Sequence, residues 1–98
     1  MLKKRYLKSK PACQVSFYTA RELDAENVAL VGDFNAWDES ATPMKPLKDG
    51  RFKTTIELPL DRQFEFRYLI DNSDWHNDRA ADQYVPNPFS GDNSVVEV

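Results

Sequence analysis

Two tryptophans in polar segments are the residues of this sequence best suited to hold a ligand. Trp37 lies within residues 32–39, Gly-Asp-Phe-Asn-Ala-Trp-Asp-Glu, and Trp75 within residues 71–78, Asp-Asn-Ser-Asp-Trp-His-Asn-Asp. Both are expected on loops just past the end of a strand, where an indole among small and polar neighbours has little chance of full burial inside its own segment. It either caps one end of the fold or forms an exposed stacking surface. Two tryptophans in matching contexts favour the stacking surface.

The charge around the tryptophans indicates what such a surface would bind. Six carboxylates lie close in sequence: Asp33, Asp38, Glu39, Asp71, Asp74 and Asp78. A flat indole suits both nucleobases and the C–H faces of sugars, but single-stranded nucleic acid also needs a positive groove for its phosphates. Carboxylates repel phosphate and accept hydrogen bonds from hydroxyls. The pattern therefore favours a neutral polysaccharide over nucleic acid.

The same carboxylates raise two chemical alternatives. Paired Asp residues suggest glycoside hydrolysis, and the Asp/Asn run resembles a calcium loop. Solvated loops with Asx-turns are the simpler interpretation, since a fold this small offers no deep site that excludes water. The run also lacks the central Gly and terminal Glu of a calcium-binding EF-hand loop. With one cysteine, Cys13, and one histidine, His76, we expect no catalytic residue, no metal and no cofactor.

Length and composition limit the possible architectures. The 98 residues suit one domain and are far fewer than the roughly 250 of an α/β barrel. The 41% hydrophobic and 30% charged residues are ordinary for a soluble protein. Neither an apolar run long enough to cross a membrane nor a secretory signal is recognisable. A single cysteine suits a reducing compartment, so a cytoplasmic location is expected.

Positive charge is concentrated at the start of the chain. Residues 1–10 hold five of the 13 Lys+Arg residues, which leaves 8 against 16 Asp+Glu in the remainder. We interpret residues 1–10 as a basic arm or edge strand and residues 11–98 as one domain. Such an arm can meet an acidic partner, but lysines also protect a solvated edge strand from aggregation, and we favour the latter role.

Alternation of apolar and polar residues with a period of two predicts β-strands. It appears in residues 13–17, 52–58 and 64–70, while residues 28–31 are continuously apolar and residues 95–98 are valine-rich. Asp49-Gly50 predicts a hairpin turn. Residues 21–27 have room for at most one helical turn. Together these features predict an antiparallel β-sandwich with about seven short strands.

Three ordered motifs resemble those of family 48 carbohydrate-binding modules, also called isoamylase N-terminal or early-set domains. Residues 28–37, Val-Ala-Leu-Val-Gly-Asp-Phe-Asn-Ala-Trp, resemble the family's GxFNxW signature. Residues 64–71 followed by Trp75 resemble its YxYKFxVDGxW strand and loop, and residues 93–98 its closing strand. The resemblance implies an immunoglobulin-like sandwich and binding of α-1,4-glucan. It includes similarity to the glycogen-binding domain of the AMP-activated protein kinase β subunit.

The resemblance also assigns site residues. Trp37 and Trp75 would stack on glucose rings, Arg67 and Asn93 would bond sugar hydroxyls, and Phe89 would add an apolar contact. Arg67 stands where the family usually has Lys, and Asp71-Asn72 replaces its Asp-Gly turn, with a loop one residue longer before Trp75. The catalytic carboxylates of the enzymes that carry this domain lie in a barrel absent here, so no enzymatic activity is implied.

Two functions remain open at this point. The first is non-catalytic binding of glycogen, starch or maltooligosaccharide through the tryptophans. The second is an early-set domain without sugar affinity that docks onto a glycogen-metabolising enzyme, motivated by the basic first ten residues and the acidic remainder. Neither involves nucleic acid or a membrane.

Overall fold

The computed structural model describes residues 2–21, 23–88 and 91–98. These residues form strands and a single 3₁₀ turn, with no α-helix among them. The strands are β1 Leu2–Tyr6, β2 Ala12–Tyr18, β3 Val28–Gly32, β4 Lys45–Pro46, β5 Phe52–Pro59, β6 Gln63–Ile70, β7 Asp74–His76, β8 Gln83–Pro86 and β9 Asp92–Glu97, and the 3₁₀ turn is Asp33–Asn35. No helix in these ranges could span a bilayer.

The strands form two antiparallel sheets. One has the order β1-β2-β5-β4, and the other has the order β3-β6-β9-β8, with β7 pairing to the second half of β6. β9 pairs with β6 residues 63–66 and β7 with residues 68–70, so the two short partners share one edge of the same long strand. The expectation of an all-β, immunoglobulin-like antiparallel sandwich is confirmed.

The strand count exceeds the expected seven. β4 has two residues and β7 three, too few for alternation to be visible in the sequence. β8 ends in Pro86, and proline is tolerated only on an edge such as this one. Segment 21–27 has no helical turn among its described residues.

The core lies between the two sheets and is rich in aromatic side chains. Phe66 of β6 is fully buried, with ring centroids 5.0 Å from Phe17 and 5.7 Å from Tyr68, both edge-on. Phe34 of the 3₁₀ turn closes this cluster at 5.7 Å from Phe17. Cys13 is also fully buried, as its position in the alternation predicts. Side chains of both sheets thus interdigitate around Phe66.

The basic N-terminal segment forms the edge strand β1. Lys4 points toward the sandwich interior and ion-pairs with Asp82 at 2.6 Å, which ties this edge to the loop before β8. Lys3 and Arg5 are exposed on the outer face. An inward charge and outward cations both discourage pairing of this edge with another chain.

A buried polar pair joins the sheet to the segment after β7. Tyr68 is 3% exposed and Asp78 is 2% exposed, and the Tyr68 hydroxyl donates to Asp78 Oδ2 at 2.6 Å. The Asp78 carboxylate also accepts from the Ala80 N–H at 2.8 Å. Burial first, and then the nearby Asp78 charge, raises the pKa of Tyr68 well above its ordinary value. The phenol is therefore held as a neutral donor.

Tyr68→Phe is expected to lower the free energy of unfolding at neutral pH by about 1–3 kcal/mol, because Asp78 loses a buried donor. The folded state keeps the phenol protonated, whereas the unfolded chain ionises it above about pH 10. Stability from this group is therefore fully present below about pH 10 and is lost progressively as the pH rises from there toward the higher pKa of the folded state. Urea unfolding should show the gap between wild type and variant narrowing as the pH rises above about 10. Exposed Tyr6→Phe is the control, and a gap that stays constant would contradict the assignment.

Candidate functional site

β6 organises the candidate site because its alternate residues face opposite ways. Phe64, Phe66, Tyr68 and Ile70 belong to the core. Glu65, Arg67 and Leu69 therefore face outward from the five-stranded sheet. We call this surface the outer face of β6.

Trp75 and Arg67 lie together on the outer face of β6. Trp75 pairs with Leu69 in the register of β6 and β7, and directly paired residues share a face. The Arg67 guanidinium lies 5.8 Å from the centroid of the Trp75 ring, a cation–π distance. Trp75 is 37% exposed. It lies on a strand rather than on the loop that the sequence predicted, because the hairpin turn is tight enough for β7 to pair with β6.

The turn before Trp75 has the backbone of a two-residue hairpin. Asp71 and Asn72 have φ of 49° and 60°, and the Ser73 N–H donates to the Ile70 carbonyl at 3.0 Å. Two successive positive φ values define a type I′ turn, a conformation that Asn tolerates in place of Gly. Asp71 Oδ1 also accepts from the N–H groups of Glu26 and Asn27, both at 2.8 Å. The longer loop therefore still returns Trp75 to the sheet.

Trp37 is anchored to the same strand through Asp33. Its indole Nε1 donates to Asp33 Oδ1 at 2.8 Å, and Asp33 Oδ2 accepts from the Glu65 N–H at 2.9 Å. Ala36 and Trp37 have φ of 57° and 58°, a left-handed conformation that these residues adopt only when their surroundings enforce it. Trp37 is partly buried. One carboxylate thus fixes the tryptophan against the first half of β6.

Asn35 and Gly32 hold the loop that presents Trp37. Asn35 Oδ1 accepts from the Gly32 N–H at 3.1 Å, and Nδ2 donates to the Leu30 carbonyl at 2.9 Å and to Thr42 Oγ1 at 3.0 Å. A Cβ on Gly32 would lie 2.5 Å from the Glu65 carbonyl oxygen and 2.8 Å from Phe66 Cβ. The absence of a side chain at residue 32 allows β3 to approach β6 this closely.

Gly32→Ala is expected to lower the free energy of unfolding by about 1–3 kcal/mol, because backbone atoms of β6 must move to admit the methyl group. Gly91→Ala is the contrasting variant. Among residues 2–21, 23–88 and 91–98, a Cβ there meets nothing within 4 Å, and its φ of +77° opposes alanine, at about 1–2 kcal/mol. Denaturant unfolding of both variants measures the difference. A Gly32→Ala protein as stable as wild type would contradict the close approach.

Asn93 is held beside Glu65. Its Nδ2 donates to Glu65 Oε1 at 3.0 Å, and its Oδ1 accepts from Asn87 Nδ2 at 3.3 Å. Asn93 is 8% exposed, so most of its amide is covered. Phe89, the remaining predicted contact, lies outside the described residues.

Aliphatic side chains form the floor of this surface. Val31, Leu69 and Val95 are at most 2% exposed, although their positions place them on the outer face and outside the central core. Their burial requires cover from longer side chains of the same face. Arg67 has a buried Nε with no hydrogen-bond partner among the residues that the structure describes, consistent with a side chain that lies flat over this floor. The result is a shallow surface with an apolar base, a cation and the Trp75 indole, and Asp33 connects the Trp37 indole to the same strand.

Three more of the carboxylates near the tryptophans in sequence, Asp38, Asp71 and Asp78, make hydrogen bonds within the protein. Hydrogen bonds from the backbone N–H and then the hydroxyl of Ser40 lower the pKa of Asp38, the neighbour of Trp37. Asp71 binds backbone and Asp78 is buried, so neither is a solvated member of a carboxylate pair. In the described ranges no cluster of three or more His, Cys, Asp or Glu side chains could hold a metal ion. The arrangement is suited to binding by stacking and hydrogen bonds.

The sequence analysis assigned no positioning role to three residues that have one in the structure: Asp33, Asn35 and Glu65. Asp33 lies four residues before Trp37 and Asn35 lies inside the signature motif, so the sequence offered a reason to consider both. For Glu65 the alternation indicated only an outward-facing side chain, because its partner Asn93 is 28 residues away.

The two-sheet fold and the aromatic outer face place this chain among small β-sandwich binding modules, and comparison with known proteins identifies the family. The sequence profile of "Carbohydrate-binding module 48 (Isoamylase N-terminal domain)" matches residues 16–89. The chain belongs to this family, as its motifs predicted.

Curated relatives include two 1,4-alpha-glucan branching enzymes named GlgB. The enzyme of Aquifex aeolicus (strain VF5) is 31% identical over 67 residues, which is 66% of this chain and 10% of that enzyme. The enzyme of Butyrivibrio fibrisolvens is 33% identical over 69 residues, 70% of this chain and 11% of that enzyme. The chain thus spans about a tenth of the length of these relatives.

Proposed function

We propose that the outer face of β6 binds α-1,4-glucan without catalysis, through stacking of Trp37 and Trp75 on glucose units of one chain. The observation that supports this most is the placement of both indoles along β6, with Arg67 against Trp75 and Asp33 fixing Trp37. Arg67 has N–H donors for sugar hydroxyls in this position. Membership of the carbohydrate-binding family supports the ligand class.

Charge supports a neutral ligand. Asp33 accepts from the Trp37 indole, Asp38 follows Trp37 in the chain, and hydrogen bonds from Ser40 lower the pKa of Asp38. A phosphate backbone would be repelled here, whereas hydroxyl groups find acceptors. The Arg67 guanidinium lies 5.8 Å from the centroid of the Trp75 ring, beside the surface on which a sugar would stack.

The test is a titration of the folded protein with maltoheptaose and β-cyclodextrin, followed by tryptophan fluorescence. Stacking on a base contributes roughly 1–3 kcal/mol. If sugars behave similarly, two rings give a dissociation constant on the order of micromolar to millimolar. Cellohexaose, with β-1,4 linkages, is the control and should bind more weakly. An unchanged spectrum at millimolar maltoheptaose would refute glucan binding.

The second candidate function is a docking module without sugar affinity, and the burial of the Asn93 side chain favours it. An amide that is 8% exposed and bonded at both ends has little left to offer a sugar. In that case the partner is a glycogen-metabolising enzyme. A pulldown with wild-type protein and with the charge variant Lys3→Gln/Arg5→Gln tests this, since both side chains are exposed and β1 remains intact. A partner retained by wild type and lost by the variant supports docking.

A further inference from the structure

A cavity of about 680 Å³ lies away from the outer face of β6, where the end of β2 meets the segment after β7. This volume falls within the range of small-molecule sites. β7 separates the two surfaces, since Trp75 faces outward and His76 lines the cavity. The glucan-binding proposal makes no use of this cavity.

Arginines dominate the charge of the cavity. Arg21, Arg51 and Arg79 all line it, although the whole chain carries a net charge of −3. Asp49 pairs with two of them and lies 2.9 Å from Arg51 Nε and 3.8 Å from Arg21 Nε. One carboxylate therefore faces two guanidinium groups.

Further positive charge lies beside the cavity, around the ring of Tyr18. Tyr18 is one of the lining residues. Arg51 lies 4.9 Å from the centroid of its ring, and Lys3 and Lys53 each lie 5.5 Å from the same centroid. Three cations around one lining residue make the local field more favourable to an anion.

The base of the cavity is polar but already ordered. The Asp78 carboxylate faces it with Tyr68 and Ala80 as donors, while Leu23 and Ile70 supply apolar wall. A bare inorganic anion would contact the arginines alone and leave the base of the cavity unfilled. A ligand with an anionic end and a hydroxyl-bearing body would contact the arginines and also fill the base.

We propose that this cavity binds a small phosphate monoester of sugar-phosphate size, with the phosphate at Arg21 and Arg51 and the polar body toward Asp78. Guanidinium groups match phosphate oxygens through paired N–H donors. The Asp78 carboxylate at the base already accepts hydrogen bonds from Tyr68 and Ala80, and its charge opposes a second anionic group. The cavity therefore discriminates a monoester from both a neutral sugar and a bisphosphate.

Isothermal titration calorimetry with glucose 1-phosphate, inorganic phosphate and glucose at constant ionic strength tests the proposal. We expect glucose 1-phosphate to bind most tightly, inorganic phosphate to compete with it, and glucose to give no heat. Arg21→Gln should weaken glucose 1-phosphate about tenfold, the effect of one charge-assisted hydrogen bond. Arg21 is exposed and its ion pair is long, so the variant should fold.

Arg62→Gln is the matched control, because Arg62 is exposed and lines a different cavity, near Asn35 and Glu57. It should bind glucose 1-phosphate as wild type does. Equal weakening by both variants, equal binding of glucose, or no heat at millimolar glucose 1-phosphate would each overturn the proposal. Maltoheptaose binding should be unchanged in Arg21→Gln, so failure of this site and failure of the glucan face are separately visible.

Discussion

Replacing Trp37 and Trp75 together by alanine is expected to abolish detectable binding of maltoheptaose while the protein stays folded. Each ring supplies roughly 1–3 kcal/mol if sugar stacking resembles base stacking. A single replacement should then weaken binding between about 5-fold and 150-fold. Trp75→Ala should have the larger effect, because Trp75 is the more exposed ring and its loss also leaves Arg67 without its stacking partner. Calorimetry with maltoheptaose measures both.

Tyr6→Ala is the matched control for the tryptophan variants. Tyr6 is 56% exposed and lies on β1, in the other sheet, so it removes an exposed aromatic ring without touching the outer face of β6. Its affinity for maltoheptaose should equal that of wild type. Wild-type affinity in the double variant Trp37→Ala/Trp75→Ala would show that the sugar, if bound, sits elsewhere on the molecule.

Phe66→Ala is expected to destabilise the protein by about 3–5 kcal/mol, the usual range for a fully buried aromatic ring. Phe66 contacts both sheets through Phe17 and Tyr68 and approaches Phe34 of the 3₁₀ turn, with centroids 6.5 Å apart. Its removal leaves a cavity that these rigid rings fill poorly. For a domain whose total stability is about 5–15 kcal/mol, the variant should unfold at a clearly lower temperature than wild type.

The variant Phe66→Leu distinguishes the contribution of filled core volume from that of aromatic ring contacts. It restores part of the lost volume, so its loss of stability should be clearly smaller than that of the alanine variant. Urea unfolding followed by circular dichroism measures both. Equal losses for leucine and alanine would mean that ring–ring contact, rather than the filled volume, stabilises the centre of the sandwich.

The strand pattern was predictable because it depends on nearest neighbours. Alternation along residues 64–70 assigns Phe64 and Phe66 to the core and Arg67 to the opposite face, and both assignments hold. The short strands β4 and β7 and the proline-ended β8 were missed. Two to four residues carry too little alternation, so their pairing depends on what the rest of the sheet leaves unpaired.

The candidate site was predictable in its residue types but not in its arrangement. The motif around residues 32–37 identified Trp37, yet its anchor depends on Asp33 reaching the Glu65 backbone 32 residues away. Trp75 was expected on a loop and lies on a strand beside Leu69. Burial of Asn93 also depends on distant neighbours, Glu65 above all.

Residue order alone therefore establishes an all-β sandwich, its inward and outward side chains, and two indoles in acidic surroundings, since each of these follows from local alternation and local composition. Folding adds the contacts that act across strands: the Arg67–Trp75 pair, the Asp33 bridge and the arginine-rich cavity around Tyr18 and Asp78. Such contacts join residues far apart in the chain, and hydrogen-bond geometry and charge convergence exist only after the two sheets have packed.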